Sequence, residues 1–213
     1  MRGARRNALR NAVVMALFAL AGTALLAGTY RGAHRTIAHN QETEELKLLD
    51  QVMPARLYDN NLVQSRIALA PDPLLGGTQP ASAWVARRRG RAVGVVLSLV
   101  APNGYGGPIG LLMGVDAQGR VLGVRVTESH ETPGLGDYIE ASHGDWIDQF
   151  QGKSLADPAG PLWRVRKDGG IFTYVTGATI TPRAVVAAVH DALQYVALHR
   201  GELYAPTPDQ GRS

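Results

Sequence analysis

Three hydroxyl side chains fall within six residues in Thr176-Gly177-Ala178-Thr179-Ile180-Thr181, and Pro182-Arg183 follow. The segment leads into apolar positions at Val185, Val189, Leu193 and Val196, a spacing that predicts a helix ending between His199 and Gly201. Thr181 is suited to cap that helix and Pro182 to its first position. Free backbone N–H groups and the helix dipole favour an anion at such a start. Gly177 and Ala178 have little side chain, so a bulky group can come close to the backbone. Arg183, in the first turn, can approach a phosphate. An ordinary strand–turn–helix junction with a threonine cap fits the same residues. The phosphate-loop pattern GxxxxGK[ST] is absent, which argues against a nucleoside triphosphatase.

A second segment, Glu128-Ser-His130-Glu131-Thr132-Pro133-Gly134-Leu135-Gly136-Asp137, combines acids with a Pro/Gly loop whose backbone can approach a ligand. Its acids and His130 invite an acid–base or metal reading. The spacing does not support one: there is no HExxH, and His130 and His143 are not in a ligand pattern. A tight turn without chemistry is the competing reading. Neither a Gx[ST]xG elbow nor a GxGxxG fingerprint occurs, which counts against hydrolase and Rossmann readings. Arg87-Arg88-Arg89 with Arg91 reads as a solvated turn between strands. Trp84, Trp146 and Trp163 read as core.

The elements that must position these segments are legible in outline. Ala92–Val100 is a β-branched run and predicts a buried strand. Gly104–Pro108 is a turn. Ile109–Val115 and Arg120–Thr127 flank the turn Asp116–Gly119 as a hairpin. Asp137–Phe150 is expected to be helical. Trp163–Arg166 and Ile171–Val175 bracket Asp168-Gly169-Gly170 as a second hairpin signal. Residues 71–83 read as loop by composition, and Thr36–Met53 as a helix ended by Pro54. Strands first and a helix last favour an α+β fold with a mainly antiparallel sheet and flanking helices.

Charge and cysteine usage narrow the function. The chain has 213 residues and a net charge of +4. Residues 1–35 hold six arginines and no acid, which leaves the remainder at −2. The basic excess is therefore N-terminal and is not a nucleic-acid footprint. There is no cysteine, which removes disulfides, thiolate-held clusters and cysteine nucleophiles. Residues 11–30 carry no charge and, at about 1.5 Å each, match a hydrocarbon layer of roughly 30 Å. Four arginines precede them, so the positive-inside rule leaves residues 1–10 as a cytoplasmic tail and exports the rest of the chain. A cleavable signal peptide is the alternative, but its apolar region would be unusually long and no Ala-x-Ala triplet comes after it. The expected organisation is a single transmembrane helix (11–30), a helical stalk and connector (31–70), an exported domain (71–204) and a disordered tail (205–213).

Taken together, ESHETPGLGD at 128–137 and TGATITPRAVV at 176–186 resemble the G subunit of the Rnf, or Rsx, ion-translocating electron-transport complex. LLDQVMPARLYDNNL at 48–62, NGYGGPIGLLMGVDAQGRVLGVRV at 103–126 and DGGIFTYVTGAT at 168–179 extend the resemblance in the right order. It implies a bacterial inner-membrane protein with one N-terminal transmembrane helix and a periplasmic FMN-binding domain. It further implies an electron-transfer subunit, without turnover of its own, in a complex coupling ferredoxin and NAD to ion movement.

By motif position, the resemblance implies FMN joined covalently through its phosphate to Thr179 by a separate flavin transferase. Thr176, Gly177, Ala178, Thr181 and Arg183 would surround that linkage. Glu131, Thr132, Pro133, Gly134, Leu135 and Gly136 would lie against the isoalloxazine. The partners implied are the other complex subunits, the transferase and membrane lipid. The related C subunit of the sodium-translocating NADH:quinone reductase is the alternative, and an anchored periplasmic module without flavin a third. Two positions depart from the family: Thr173 stands where an acid is frequent, and Tyr138 where Lys is.

Overall fold

The computed structural model describes residues 11, 13–23 and 43–205. The chain forms two compact units, Met1–Glu45 and Leu46–Ser213. In the first, residues 11 and 13–23 are helical, and side chains from Val13 to Leu20 stand exposed. No helix among the described residues is long and apolar enough to cross a membrane. Residues 24–30 of the expected span lie outside the described residues, as do residues 36–42 of the expected helix Thr36–Met53 and residues 206–213 of the tail.

The second unit is α+β. Five antiparallel strands pair in chain order: β1 (Arg66–Leu69), β2 (Ala81–Arg88), β3 (Arg91–Gly104), β4 (Gly107–Asp116) and β5 (Val121–Glu128). Asp116 makes the β4–β5 turn, its Oδ1 accepting from the N–H groups of Gln118 and Arg120. Alternation then sorts the side chains. Leu97, Leu99, Ile109, Leu111 and Met113 share a core with helix α2 (Ile180–Leu198). The expected apolar positions Val185, Val189, Leu193 and Val196 are all buried there, each contributing roughly 1.5–3 kcal/mol. A short helix α3 (Arg200–Leu203) continues the chain past His199.

The other sheet face packs against residues 46–52 of helix α1 (43–52). Leu49, Val52 and Met53 form a core with Trp84, Val96 and Leu112. Three glycines make the seat. A Cβ on Gly114 would overlap the Val52 carbonyl, one on Gly123 would press on Val52 Cα at 3.2 Å, and one on Gly94 would meet Met53 Cε at 2.6 Å. Residues 46–70, part of the expected stalk and connector, thus belong to the folded unit and supply β1.

Three local expectations change. Asp137–Phe150 is not one helix but two 3-10 turns, Asp137–Ile139 and Trp146–Phe150. Gly144, at φ +157°, interrupts the run. Arg125 on β5 pairs with Asp148 at 2.8 Å and holds the second turn against the sheet edge. The expected hairpin around Asp168–Gly170 is a tight reversal with one bridge, Val165 to Phe172. Trp163 and Phe172 leave it to pack with each other and with Phe150, ring centroids 4.9–6.3 Å apart. β2 begins at Ala81, inside the expected loop 71–83. Trp84, Trp146 and Trp163 are buried, as expected.

Candidate functional site

The two sequence segments meet at one end of the sheet. Val175 to Ala178 form a turn closed by the Ala178 N–H donating to the Val175 carbonyl at 3.0 Å. Thr176 and Gly177 form its exposed tip, and Gly177 has φ +93°, a value glycine adopts without strain. Thr179 follows as the N-cap residue of α2, earlier in the chain than the expected cap, Thr181. Its side chain makes no capping hydrogen bond, although the residue is only 8% exposed. No buried side-chain oxygen among the described residues lacks a partner. The Thr179 hydroxyl has none, so its oxygen is not fully buried.

Thr181 does something else. Its hydroxyl is buried and donates to Glu131 Oε2 at 2.6 Å. Glu131 Oε1 accepts from the Gly106 N–H at 3.0 Å, at the tip of the β3–β4 hairpin. Small residues surround this carboxylate. A Cβ on Gly104 would sit 2.8 Å from Oε1, and one on Gly136 would overlap Oε2. A buried carboxylate needs such donors, because an unpaired one loses its hydration without replacement. Glu131 therefore ties the Pro/Gly loop to both the hairpin and the helix start.

The loop itself is a turn. Leu135 and Gly136 N–H groups both donate to the Thr132 carbonyl at 3.0 Å, Gly134 has φ +76°, and its N–H donates to Asp137 Oδ1 at 2.8 Å. Together the two segments line one cavity of about 370 Å³. Glu131, Thr132, Leu135 and Gly136 form one wall, and Gly177, Ala178, Ile180 and Thr181 the other. Tyr105 from the hairpin tip completes it. Tyr105, Leu135 and Ile180 are large apolar side chains left exposed around it, with Val175 nearby in the chain.

Pro133, Gly134 and Thr176 lie on exposed turns and do not line the cavity, and Thr179, between the lining residues Ala178 and Ile180, is not in its lining either. Arg183 is turned to Asp168, its Nε and Nη2 donating to the two carboxylate oxygens at 2.5 and 2.7 Å. Those hydrogen bonds hold the Asp168 carboxyl below its ordinary range. No cluster of three metal-ligating side chains occurs among the described residues. A larger recess of about 620 Å³, lined by Gly76, Ser98, Gly110 and Glu128 among others, contains none of the expected site residues.

Sequence reasoning missed Tyr105, Ile180 and the function of Tyr138. The Tyr138 hydroxyl donates to the Ala178 carbonyl at 3.2 Å and accepts from the Val175 N–H at 3.3 Å. Burial raises its pKa; the Val175 hydrogen bond opposes that and the Glu131 charge adds to it. Its partners are 37 and 40 residues away, and no local pattern announces them.

The geometry suits a flat, partly apolar ligand carrying a phosphate. Exposed apolar side chains can cover a ring system, and an open hydroxyl stands at a helix start. The family model for an FMN-binding domain matches residues 104–194, the stretch that contains this cavity. A model for the RnfG N-terminal region matches residues 1–52. Among curated relatives, the G subunit of an ion-translocating oxidoreductase complex from Pseudomonas aeruginosa is 47% identical over 207 residues, covering 97% of each chain. Its counterpart from Vibrio cholerae is 41% identical over 204 residues, covering 95% of this chain and 97% of its own. That from Pectobacterium atrosepticum is 44% identical over 187 residues, covering 88% and 89%.

The chain belongs to this family of G subunits. It is thus a subunit of a multisubunit ion-translocating oxidoreductase complex and carries an FMN-binding domain. The residues present fit FMN. The cavity has an apolar rim, Gly177 lets a ligand reach the backbone, and the Thr179 hydroxyl is unengaged.

Proposed function

We propose that this protein carries FMN covalently, joined through its phosphate to Thr179, and passes electrons within a complex that couples the ferredoxin/NAD couple to ion movement. One observation carries the covalent assignment. Thr179 occupies the cap position of α2, yet its hydroxyl neither caps the helix nor bonds any described residue. Thr181, two residues on, is committed to Glu131, and Thr176 sits at an exposed turn tip. Phosphate charge beside the start of α2 is favoured by the helix dipole.

FMN alone has no good leaving group on phosphorus, so the donor is a flavin dinucleotide. Thr179 Oγ1 bonds to phosphorus, the phosphoanhydride bond breaks, and a nucleoside monophosphate leaves. The hydroxyl proton passes to a base of the flavin transferase. When bound, FMN accepts one or two electrons and so joins one- and two-electron carriers. The chain's own residues supply placement and field. Tyr105, Leu135 and Ile180 cover apolar surface, and Glu131 fixes one negative charge in the cavity wall. Arg183 stays with Asp168 and leaves the phosphate to backbone N–H groups.

The apolar run at 11–30, preceded by four arginines, supports a single inner-membrane span with a cytoplasmic N-terminus and a periplasmic domain. A reporter fused after Ser213 should be active only if it is of the kind that works outside the cytoplasm. The covalent link is tested by intact mass after co-expression with a flavin transferase. We expect one FMN phosphoester per chain and fluorescence that survives a denaturing gel. A Thr179→Ala chain of equal fluorescence would overturn the attachment site.

A further inference from the structure

Tyr138 lies in the 3-10 turn Asp137–Ile139, directly after the Pro/Gly loop. Its hydroxyl bonds Val175 N–H and Ala178 C=O, the two groups left over when those residues close their own turn. A single phenol oxygen thus completes the pairing of the turn and attaches it to the segment carrying Glu131 to Gly136. The ring is itself fixed. It stands edge-on to Trp146, with centroids 5.7 Å apart at 84°. The Trp146 indole N–H donates to the Thr173 carbonyl at 2.8 Å, and Gln149 Oε1 accepts from the Thr173 N–H at 2.9 Å. Side chains from 138–149 therefore grip residues 173–178 at four backbone groups. Thr179 is the next residue. Burial keeps the phenol protonated through neutral pH, so it can donate.

We propose that Tyr138 is a positioning residue for the modification of Thr179. Its hydroxyl sets the 175–178 turn so that the Thr179 hydroxyl faces an incoming phosphoryl group. The inference rests on the reading of Thr179 as flavin acceptor. Tyr138 touches neither phosphorus nor leaving group; it acts through the backbone alone. Trp146 and Gln149 do the same work one step upstream, at the Thr173 position where the family frequently has an acid.

Tyr138→Phe separates the oxygen from the ring, because it keeps the stack on Trp146. Two measurements on the full chain in detergent decide the matter. The first is amide hydrogen exchange of the unmodified protein over residues 173–179. We expect about tenfold faster exchange there, consistent with loss of the bracing hydrogen bonds, and unchanged exchange in β3 and β4. The second is the single-turnover rate of FMN mass gain with a transferase and flavin dinucleotide. It should fall by about the same factor, and the visible circular dichroism of the attached flavin should weaken. Unchanged exchange would show that the hydroxyl does not brace the turn. Faster exchange with a wild-type rate of mass gain and wild-type dichroism would show that bracing does not position Thr179. If the wild-type chain gains no FMN, the acceptor reading fails and the positioning role fails with it, while the exchange result still reports the brace.

Discussion

Thr181 donates its hydroxyl to Glu131 at 2.6 Å across fifty residues of sequence, and both side chains are buried. This hydrogen bond is where the two sequence segments become one site. It also explains why the helix cap falls two residues earlier, at a threonine whose hydroxyl stays free.

Thr181→Val keeps the shape and removes the donor. Glu131 Oε2 would then be buried without that partner, which costs about 2 kcal/mol. Thermal unfolding of the unmodified protein should drop by roughly 4–8 °C, and Thr181→Ser should recover most of it. A valine variant that melts with wild type would mean the carboxylate finds water instead.

Gly136→Ala puts a methyl where Glu131 Oε2 lies. The backbone there has φ −106°, so the penalty is steric and not conformational. We expect a loss of about 2–3 kcal/mol in urea unfolding. In a Glu131→Ala background the same change should cost at least about 1 kcal/mol less. Strict additivity would refute the clash.

Gly114→Ala attacks the other face. Its Cβ would overlap the Val52 carbonyl, a backbone atom that cannot rotate away. About 3 kcal/mol of stability should go, and limited proteolysis should open a new cleavage within residues 46–53. Gly119→Ala is a comparison with no such neighbour, because open space surrounds Gly119; its loss should come from φ +82° alone.

Asp168 carries the pH dependence of the helix start. Its pKa is lowered in the folded state, first by the Arg183 hydrogen bonds. The pair therefore adds stability above the ordinary aspartate pKa of 3.8, and that contribution is lost as pH falls through the lower folded value. Asp168→Asn should lower the melting temperature slightly at pH 7 and leave it close to wild type at the acid end, where the carboxyl is protonated in both states. A difference that persists undiminished into acid would assign the effect to packing.

Much of the sheet and α2 was legible because their signals are local. Asp116-Ala117-Gln118-Gly119 is a turn whatever surrounds it, and Val185, Val189, Leu193 and Val196 repeat at helical spacing. Asp137–Phe150 misled because Ile139, Trp146, Ile147 and Phe150 also fit a helical face. There Gly144 and the long-range bond from Trp146 to Thr173 prevail over periodicity. Both site segments were visible as glycine-rich, hydroxyl-rich stretches, and seven of their expected residues line one cavity. Their joining was not visible. Thr181 caps nothing because a buried carboxylate fifty residues away competes for its hydroxyl, and Arg183 is taken by Asp168. The bonds of Tyr138 were not legible either, because its partners lie on another loop.

The open hydroxyl of Thr179 has a consequence for the order of events in the protein's life. α2 begins at Thr179 through its carbonyl, which accepts from Arg183 N–H at 3.3 Å, and no capping bond uses the side-chain oxygen. Esterifying that oxygen removes no hydrogen bond from the fold. Under the proposed attachment, the unmodified chain already holds every hydrogen bond that α2 makes at this residue, so folding does not wait for the flavin.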